Sequence, residues 1–261
     1  MIAPMSELLA IRYDFDVVWD FLFDPIVLEA LWETMKISTL AMVGGVVLGI
    51  VLAVMRVSRN PVASTASGLY VWFWRGTPVI LQLLMFFFGL KQVIDEDIFR
   101  DNWTRFRAAV VIFAFNEAAY MAEIGRAGIL SVDPGQMDAA KSLGMTNLQA
   151  MRRIILPQAI RVMIPPTGNE FIALLKNTSV LFAIGIVELT NAARIQAARN
   201  FKIMELYSVA AFWYLMIVTV FSIGQAELER RFAAGERDQP QTLFSRMTRV
   251  VGASRRGEGK F

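Results

Sequence analysis

The chain has no cysteine and no histidine among its 261 residues. The first absence excludes disulfides and thiol chemistry and leaves the redox compartment unmarked. The second removes imidazole proton relays and the usual nitrogen ligands of transition metals. No Gly-x-x-x-x-Gly-Lys-Ser/Thr loop occurs, so the chain does not use ATP by that route itself. A cleavable signal peptide is not expected either. Residues 1–24 carry Glu7, Asp14, Asp16, Asp20 and Asp24 against Arg12 alone, whereas such a peptide needs a basic start and an apolar run.

Charge is scarce. Charged residues are 19% of the chain, hydrophobic residues 56%, and mean hydropathy is +0.48. That is too apolar for an ordinary soluble domain. Net charge is only +3, so placement carries the information.

Five apolar stretches are candidates to span a membrane, each needing about 20 residues. Leu28 to Met55 is the first; Gly44, Gly45 and Gly49 in it allow close helix contact. Leu69 to Leu90 is the second, with a start as early as Val62 left open. It holds Arg75, an expensive residue there, which reads as functional or as snorkelling to a membrane face. Pro78 kinks the helix or starts it. Ala108 to Leu130 is the third, with Asn116, Tyr120 and Glu123 on one polar stripe and Arg126 placed to pair with Glu123. Gln158 to Val187 is the fourth. As one helix it would run about 45 Å, more than an apolar core of about 30 Å, so Pro165-Pro166-Thr167-Gly168 is expected to break it. Leu206 to Gln225 is the fifth. Lys91 to Arg107 and Glu188 to Glu205 read as polar loops. Tyr13 to Phe23 mixes acids and aromatics, as a helix on a membrane surface does, and the first ten residues equally suit a disordered lead. The basic stretch Phe244 to Lys260 reads as a disordered tail able to meet anionic lipid.

The expected fold is therefore all-α and polytopic, with about five transmembrane helices. Residues 1–27 form a lead, 28–232 the membrane domain and 233–261 a basic tail. Arg56, Arg59, Arg126, Lys141, Arg152, Arg153, Arg161 and the tail all fall on one side, which the positive-inside rule makes cytoplasmic. The acidic N-terminus then lies outside. The four basic residues of Lys91 to Arg107 are the dissenting vote.

Between the third and fourth spans lies a polar elbow, Asp133 to Pro157. Asp133 with Pro134 and Gln136 reads as a helix start, Gly144 as its left-handed stop, and Thr146 with Gln149 as a second start. The first of these helices, Pro134 to Leu143, is about 15 Å long and marginal by itself. Ala139, Ala140 and Leu143 give it one small apolar face. The elbow is then either a plain connector or a docking element.

Here the residues carry a resemblance. Asp138-Ala139-Ala140, three residues, Gly144, nine residues, Ile154, one residue, Leu156-Pro157 resembles the Glu-Ala-Ala…Gly…Ile-x-Leu-Pro motif of the membrane subunits of ATP-binding-cassette importers. The one departure is Asp for Glu at 138. Arg75-Gly76-Thr77-Pro78, Gly168-Asn169-Glu170-Phe171 and Lys176-Asn177-Thr178-Ser179 are similar to the polar amino acid branch, which serves histidine, glutamine and arginine. The resemblance covers about Leu28 to Phe232.

It implies a non-catalytic permease in a bacterial inner membrane, with no metal and no cofactor of its own and no nucleic acid partner. A separate ATPase dimer would hold ATP and magnesium and dock on Asp138, Ala139, Ala140, Leu143 and Gly144. A second permease subunit, self or sister, and an extracytoplasmic amino acid-binding protein complete the machine, with membrane lipid around it. Arg75, Gly76, Thr77, Pro78 and Pro157 belong to the structural motifs. For the substrate, Glu170 is expected to meet the ammonium and Lys176 the carboxylate, with Asn169 and Thr178 lending hydrogen bonds. Asn116 and Glu123 are the further candidates. The alternative is an ion-coupled transporter or channel using Glu117, Glu123, Glu170 or Lys176.

Overall fold

The computed structural model describes residues 13–93 and 103–233, and every regular element among them is helical. In chain order these are α1 (Phe15–Leu22), α2 (Pro25–Val57), α3 (Pro61–Gly76) and α4 (Val79–Leu84). A wider turn, Met85–Gly89, and Leu90–Val93 prolong α4. Then come α5 (Arg105–Leu130), α6 (Pro134–Ser142) and α7 (Asn147–Ala150). A wide turn at Met151–Ile155 carries α7 straight into α8 (Leu156–Asn177), which tightens into a 3₁₀ turn over Thr178–Ile184. The last two are α9 (Leu189–Asn200) and α10 (Ile203–Ala233).

Local chemistry sets the starts. Asp24 and Asn60 each precede a proline, and each side chain accepts from the backbone two residues on, at 2.8 and 2.9 Å. Proline withholds a donor that a first turn does not need. α2 therefore begins at Pro25 and the second apolar segment at Pro61, earlier than hydropathy alone suggests.

Three helices are long and apolar enough to cross a membrane singly: Pro25–Val57, Arg105–Leu130 and Ile203–Phe232. Packing decides the rest. On the α2–α5 seam, Gly44 meets Ala114, Gly45 meets Glu117, Gly49 meets Met121 and Ala53 meets Gly125. Both numbers climb together, so the two helices are parallel. The chain between them must return across the bundle once. α3 and α4, bent by 103° at Thr77–Pro78, are thus one broken span.

α8 runs against α5. Gly128 faces Ala159 and Met163 near the start of α8, while Glu117 lies within electrostatic reach of Glu170 farther along. α10 runs against α8: Gln225 donates to the Pro165 carbonyl at 3.0 Å, Phe221 packs on Phe171, and Tyr214 reaches Glu188. The described residues therefore make five crossings. α1 and α9 sit at one end; the elbow α6–α7 and the last turn of α10 sit at the other. We call these the lead end and the elbow end.

The fourth segment corrects an expectation. α8 continues through Pro165 and Pro166, and the chain breaks later, at Gly185 with φ +79°. A proline inside a membrane helix is tolerated when neighbours answer the freed backbone groups. Here the Gln225 amide lies against this stretch, and a Cβ on Gly168 would overlap it. No helix N-terminus is aimed into the bundle at Gly168. The polar loop expected over Glu188 to Glu205 is also mostly helix. Glu188, fully buried, caps α9 by accepting from Thr190 and Asn191 backbone N–H at 2.8 and 2.7 Å, and accepts from Tyr214 as well.

α1 is held to α10 rather than loose. Trp213 donates to the Leu22 carbonyl at 2.7 Å, and Val18, Phe21 and Leu22 pack there. Lys202 donates to Asp14 at 3.0 Å, and this bond holds the Asp14 carboxyl below the usual carboxylate range. Phe15 and Trp19 face outward, beside Asp16 and Asp20, the pattern expected of a surface helix. The expected lead over the first ten residues, most of the Lys91–Arg107 loop and the basic tail from residue 234 lie outside the described residues.

The seam invites a test. A Cβ at Gly49 would collide with the Cβ of Met121, while one at Gly89 would meet nothing within 4 Å. Gly49→Ile should lower the melting temperature of the detergent-purified protein, at a cost of about 1–3 kcal/mol or more for overpacking. Gly89→Ala should leave it nearly unchanged. Equal melting temperatures for the two variants would contradict the close α2–α5 approach.

Candidate functional site

Two places stand out: the break in the second span and the elbow. At the break, the last carbonyls of α3 lose their helical donors inside the bundle. In a lipid-spanning region such groups must find partners within the protein. The fully buried Gln82 and the buried Asn116 provide them. Gln82 Nε2 donates to the carbonyls of Trp74 and Thr77 at 2.8 and 3.0 Å, and Asn116 Nδ2 donates to Trp74 at 3.1 Å and to Gln82 Oε1 at 2.9 Å. Thr77 donates its hydroxyl to the Phe73 carbonyl at 2.9 Å. Trp74, stacked on Phe86 at 5.2 Å between centroids, fills the inside of the bend.

This scaffold presents Arg75 at the inner rim of the break. Its guanidinium lies 5.0 Å from the Tyr120 ring centroid, a cation–π arrangement, and within electrostatic reach of Glu170 on α8. Glu117, one turn before Tyr120 on α5, is within reach of Glu170 from the other side. Arg75 and Gly76 are exposed in the single chain, Glu170 is half-buried and Glu117 is buried. A cation, two carboxyls and a phenol from three helices, α3, α5 and α8, thus lie within electrostatic reach of one another. Such groups at membrane depth face a bundle interior or a water-filled path.

The other residues read from the sequence fall around this centre. Asn169 is exposed beside Glu170. Lys176 is exposed six residues on, about 9 Å farther toward the lead end at 1.5 Å per residue. Thr178 is fully buried and donates to the Leu175 carbonyl at 2.7 Å. Asn116 spends its amide on the break. Glu123 lies at the elbow end in an ion cluster: Arg126 Nη2 approaches one oxygen at 2.9 Å and Arg56 Nε the other at 3.4 Å. The structure brings Arg75, Glu117, Tyr120 and Glu170 together, and leaves Lys176, Thr178 and Glu123 apart from them. Gln82 escapes the sequence reading; its only signal is a lone amide in an apolar stretch four residues after Pro78.

The elbow folds by the capping chemistry its residues announce. Asp133 accepts from Gly135 N–H at 2.7 Å. α6 ends at Gly144 with φ +80°, where the Met145 and Gly144 N–H groups donate back to Ala140 and Lys141. Thr146 and Gln149 then form a reciprocal capping box. One expectation is corrected: Ala140 is 1% exposed and turned inward, not out on a docking face. The outward apolar groups are Ala139, Leu143 at 81% exposure and Leu148 at 70%. Asp138, Lys141, Arg152 and Arg153 surround them, all exposed. Pro157 sits in the first turn of α8, directly behind this patch.

The chain is similar to known membrane transport proteins over most of its length. Residues 45–234 match the model of the family described as binding-protein-dependent transport system inner membrane component. An arginine transport system permease protein of Corynebacterium glutamicum is 43% identical over 246 residues, covering 90% of this chain and 76% of that protein. A glutamine transport system permease protein of Escherichia coli is 34% identical over 220 residues, 84% of this chain and 98% of that one. Among solved structures, an amino acid ABC transporter crystallised with histidines superposes with a TM-score of 0.73 at 39% identity, over 80% of this chain and 95% of that one.

Proposed function

The chain belongs to the family of binding-protein-dependent transport system inner membrane components, and from that premise we propose that it is the translocating subunit of an ATP-driven importer of a polar or charged L-amino acid. The outward apolar patch of the elbow carries the proposal. Ala139, Leu143 and Leu148 gain nothing for the bundle by facing away from it; they suit a partner that covers them. That partner is an ATPase dimer, which binds ATP and magnesium while this chain binds neither. The relatives named above for arginine and glutamine transport support an amino acid substrate, delivered by an extracytoplasmic binding protein.

The geometry supplies a drive train. From Asn147 to Asn177 the backbone is continuously helical, with no hinge between the elbow and Glu170. When the ATPases close and displace α6 and α7, α8 moves with them as a rigid rod. Glu170 then shifts against Arg75, which is fixed to a different helix by the break. Substrate held between the two would be exposed first to one side and then to the other. Arg75 replaces Lys176 as the group proposed to meet the substrate carboxylate, because Arg75 is the cation facing Glu170. Glu170 meets the ammonium, Tyr120 lines the site, and Asn169 stands beside it. A second copy of the chain or a sister permease would cover the exposed side of this cluster.

Orientation follows from charge. Arg56, Arg59, Arg126, Lys141, Arg152, Arg153, Arg230 and Arg231 gather at the elbow end, which supports a cytoplasmic position for that end. The lead end, with Asp14, Asp16, Asp20 and Asp24, faces outward. Single cysteines in this cysteine-free chain test it. In right-side-out vesicles, Asp20→Cys should react with a membrane-impermeant maleimide at once, and Ser142→Cys only after permeabilisation. Labelling of residue 142 in intact vesicles would reverse the orientation and remove the ATPase from the elbow.

A further inference from the structure

Glu123 and Arg126 take no part in the scheme above. They belong to an ion cluster that joins three helices. Glu123 of α5 accepts from Arg126 Nε and Nη2 at 3.0 and 2.9 Å with one carboxylate oxygen, and from Arg56 Nε of α2 at 3.4 Å with the other. The Arg56 guanidinium also lies on Gly68 of α3, where a Cβ would come within 2.8 Å of Nη1. α3 adds two hydroxyls. Ser64 donates to the Arg56 carbonyl at 3.3 Å, and the fully buried Ser67 donates to the Leu52 carbonyl at 2.8 Å. Ala53 packs on Gly125 alongside. Charge and hydrogen bonds thus tie α2, α3 and α5 together at the elbow end. The α5–α8 contact at the same end is different in kind. Gly128 faces Met163 and the Ala159 carbonyl. A glycine and a flexible thioether offer no fixed pairing, so these two helices can slide.

A rod does work only against something that stays still. If α2, α3 and α5 followed α8, no helix would change its place relative to another and access would not switch. We propose that Arg56 and Glu123 are positioning residues of the transport cycle: with Arg126 they fasten α2, α3 and α5 into one body that stays closed while α8 slides along it. This rests on the reading of α8 as the moving rod. The Glu123 side chain is 20% exposed and lies between two guanidiniums. A network of this kind, partly withdrawn from water, holds more firmly than a lone surface pair. Arg75 lies about two turns beyond Gly68 on α3, so the same tie also fixes the height of the break.

The test uses the chain with its co-expressed ATPase and binding protein in proteoliposomes, and reads amino acid taken up per ATP hydrolysed. Arg56→Met leaves Glu123 paired with Arg126, so the chain should fold. Uptake per ATP should fall about tenfold, the scale of losing one hydrogen bond to a charged group. A bystander ion pair would leave that ratio unchanged, even at a lower melting temperature. Two crosslinks in this cysteine-free chain then separate still contacts from moving ones. Arg56→Cys with Glu123→Cys, joined by a short bismaleimide, should recover the ratio that the same pair loses before crosslinking. Gly128→Cys with Met163→Cys, oxidised to a disulfide across the α5–α8 contact, should stop uptake until it is reduced. An unchanged ratio in Arg56→Met would overturn the proposal. So would arrest of uptake by the 56–123 crosslink, which would make the cluster a gate that opens in every turnover. Uptake that continues through the 128–163 disulfide would instead overturn the moving α8 on which the proposal rests.

Discussion

Leu143→Asp will stop transport while the chain still folds and inserts. Leu143 is 81% exposed at the end of α6, so its removal takes away little internal packing. The helix keeps its supports: the Asp133 cap, the left-handed Gly144 and the capping box at Thr146. What changes is the surface offered to a partner. Aspartate there would place an unpaired carboxylate in a closed interface, at a cost of about several kcal/mol, enough to reduce uptake at least about a hundredfold. The ATPase should no longer co-purify, and the melting temperature of the chain should be unchanged. Ala140→Trp is the instructive contrast. Ala140 is buried, and tryptophan there cannot fit without disrupting the elbow itself. That variant should lose both docking and thermal stability. Normal uptake by Leu143→Asp would make the elbow a mere connector.

Glu170→Gln carries the second large effect. Glu170 is half-buried and faces Arg75 across the broken span. The amide keeps the volume and loses the charge that would meet the substrate ammonium. Uptake should fall about a hundredfold, the scale of removing one charged hydrogen bond from a desolvated site. Basal ATP hydrolysis by the assembled complex should persist, because the elbow is untouched. Lys176→Met should cost much less, since Lys176 is exposed and displaced toward the lead end. The reverse ranking would return Lys176 to the centre of the site. Unchanged uptake in both would remove substrate recognition from α8.

The elbow is legible from sequence because caps are local. Asp133, Gly144, Thr146 and Gln149 each act within four residues of themselves, and each does what its side chain suggests. The number of spans is legible because apolar length is additive. What escapes depends on residues far away in the chain. Pro165 and Pro166 stay helical in a stretch where the Gln225 amide packs, 60 residues later. The segment after Glu188 is helical although it reads as polar, because Asn191 and Gln196 are buried against other helices. Ala139 and Ala140 are adjacent and chemically identical, so only the packing of α6 decides which faces out. Arg75 reads as costly from sequence, but Tyr120, which its guanidinium approaches, and Glu170, within its electrostatic reach, are on other helices. The site is therefore visible as separate unusual residues, and only the parallel α2–α5 seam and the antiparallel α8 assemble them.

The central claim is that ATP hydrolysis by a partner, coupled through the elbow, moves an amino acid past Arg75 and Glu170. The direct measurement is uptake of a radiolabelled amino acid into proteoliposomes holding the chain with its co-expressed partners and binding protein. ATP is sealed inside or left out, and ion and proton gradients are imposed or collapsed with ionophores. The account predicts uptake that requires internal ATP, survives collapse of every gradient and disappears with Leu143→Asp. Uptake that runs on an imposed gradient with no ATP present would contradict it, and would make the buried carboxyls of this bundle the ion sites of a secondary transporter.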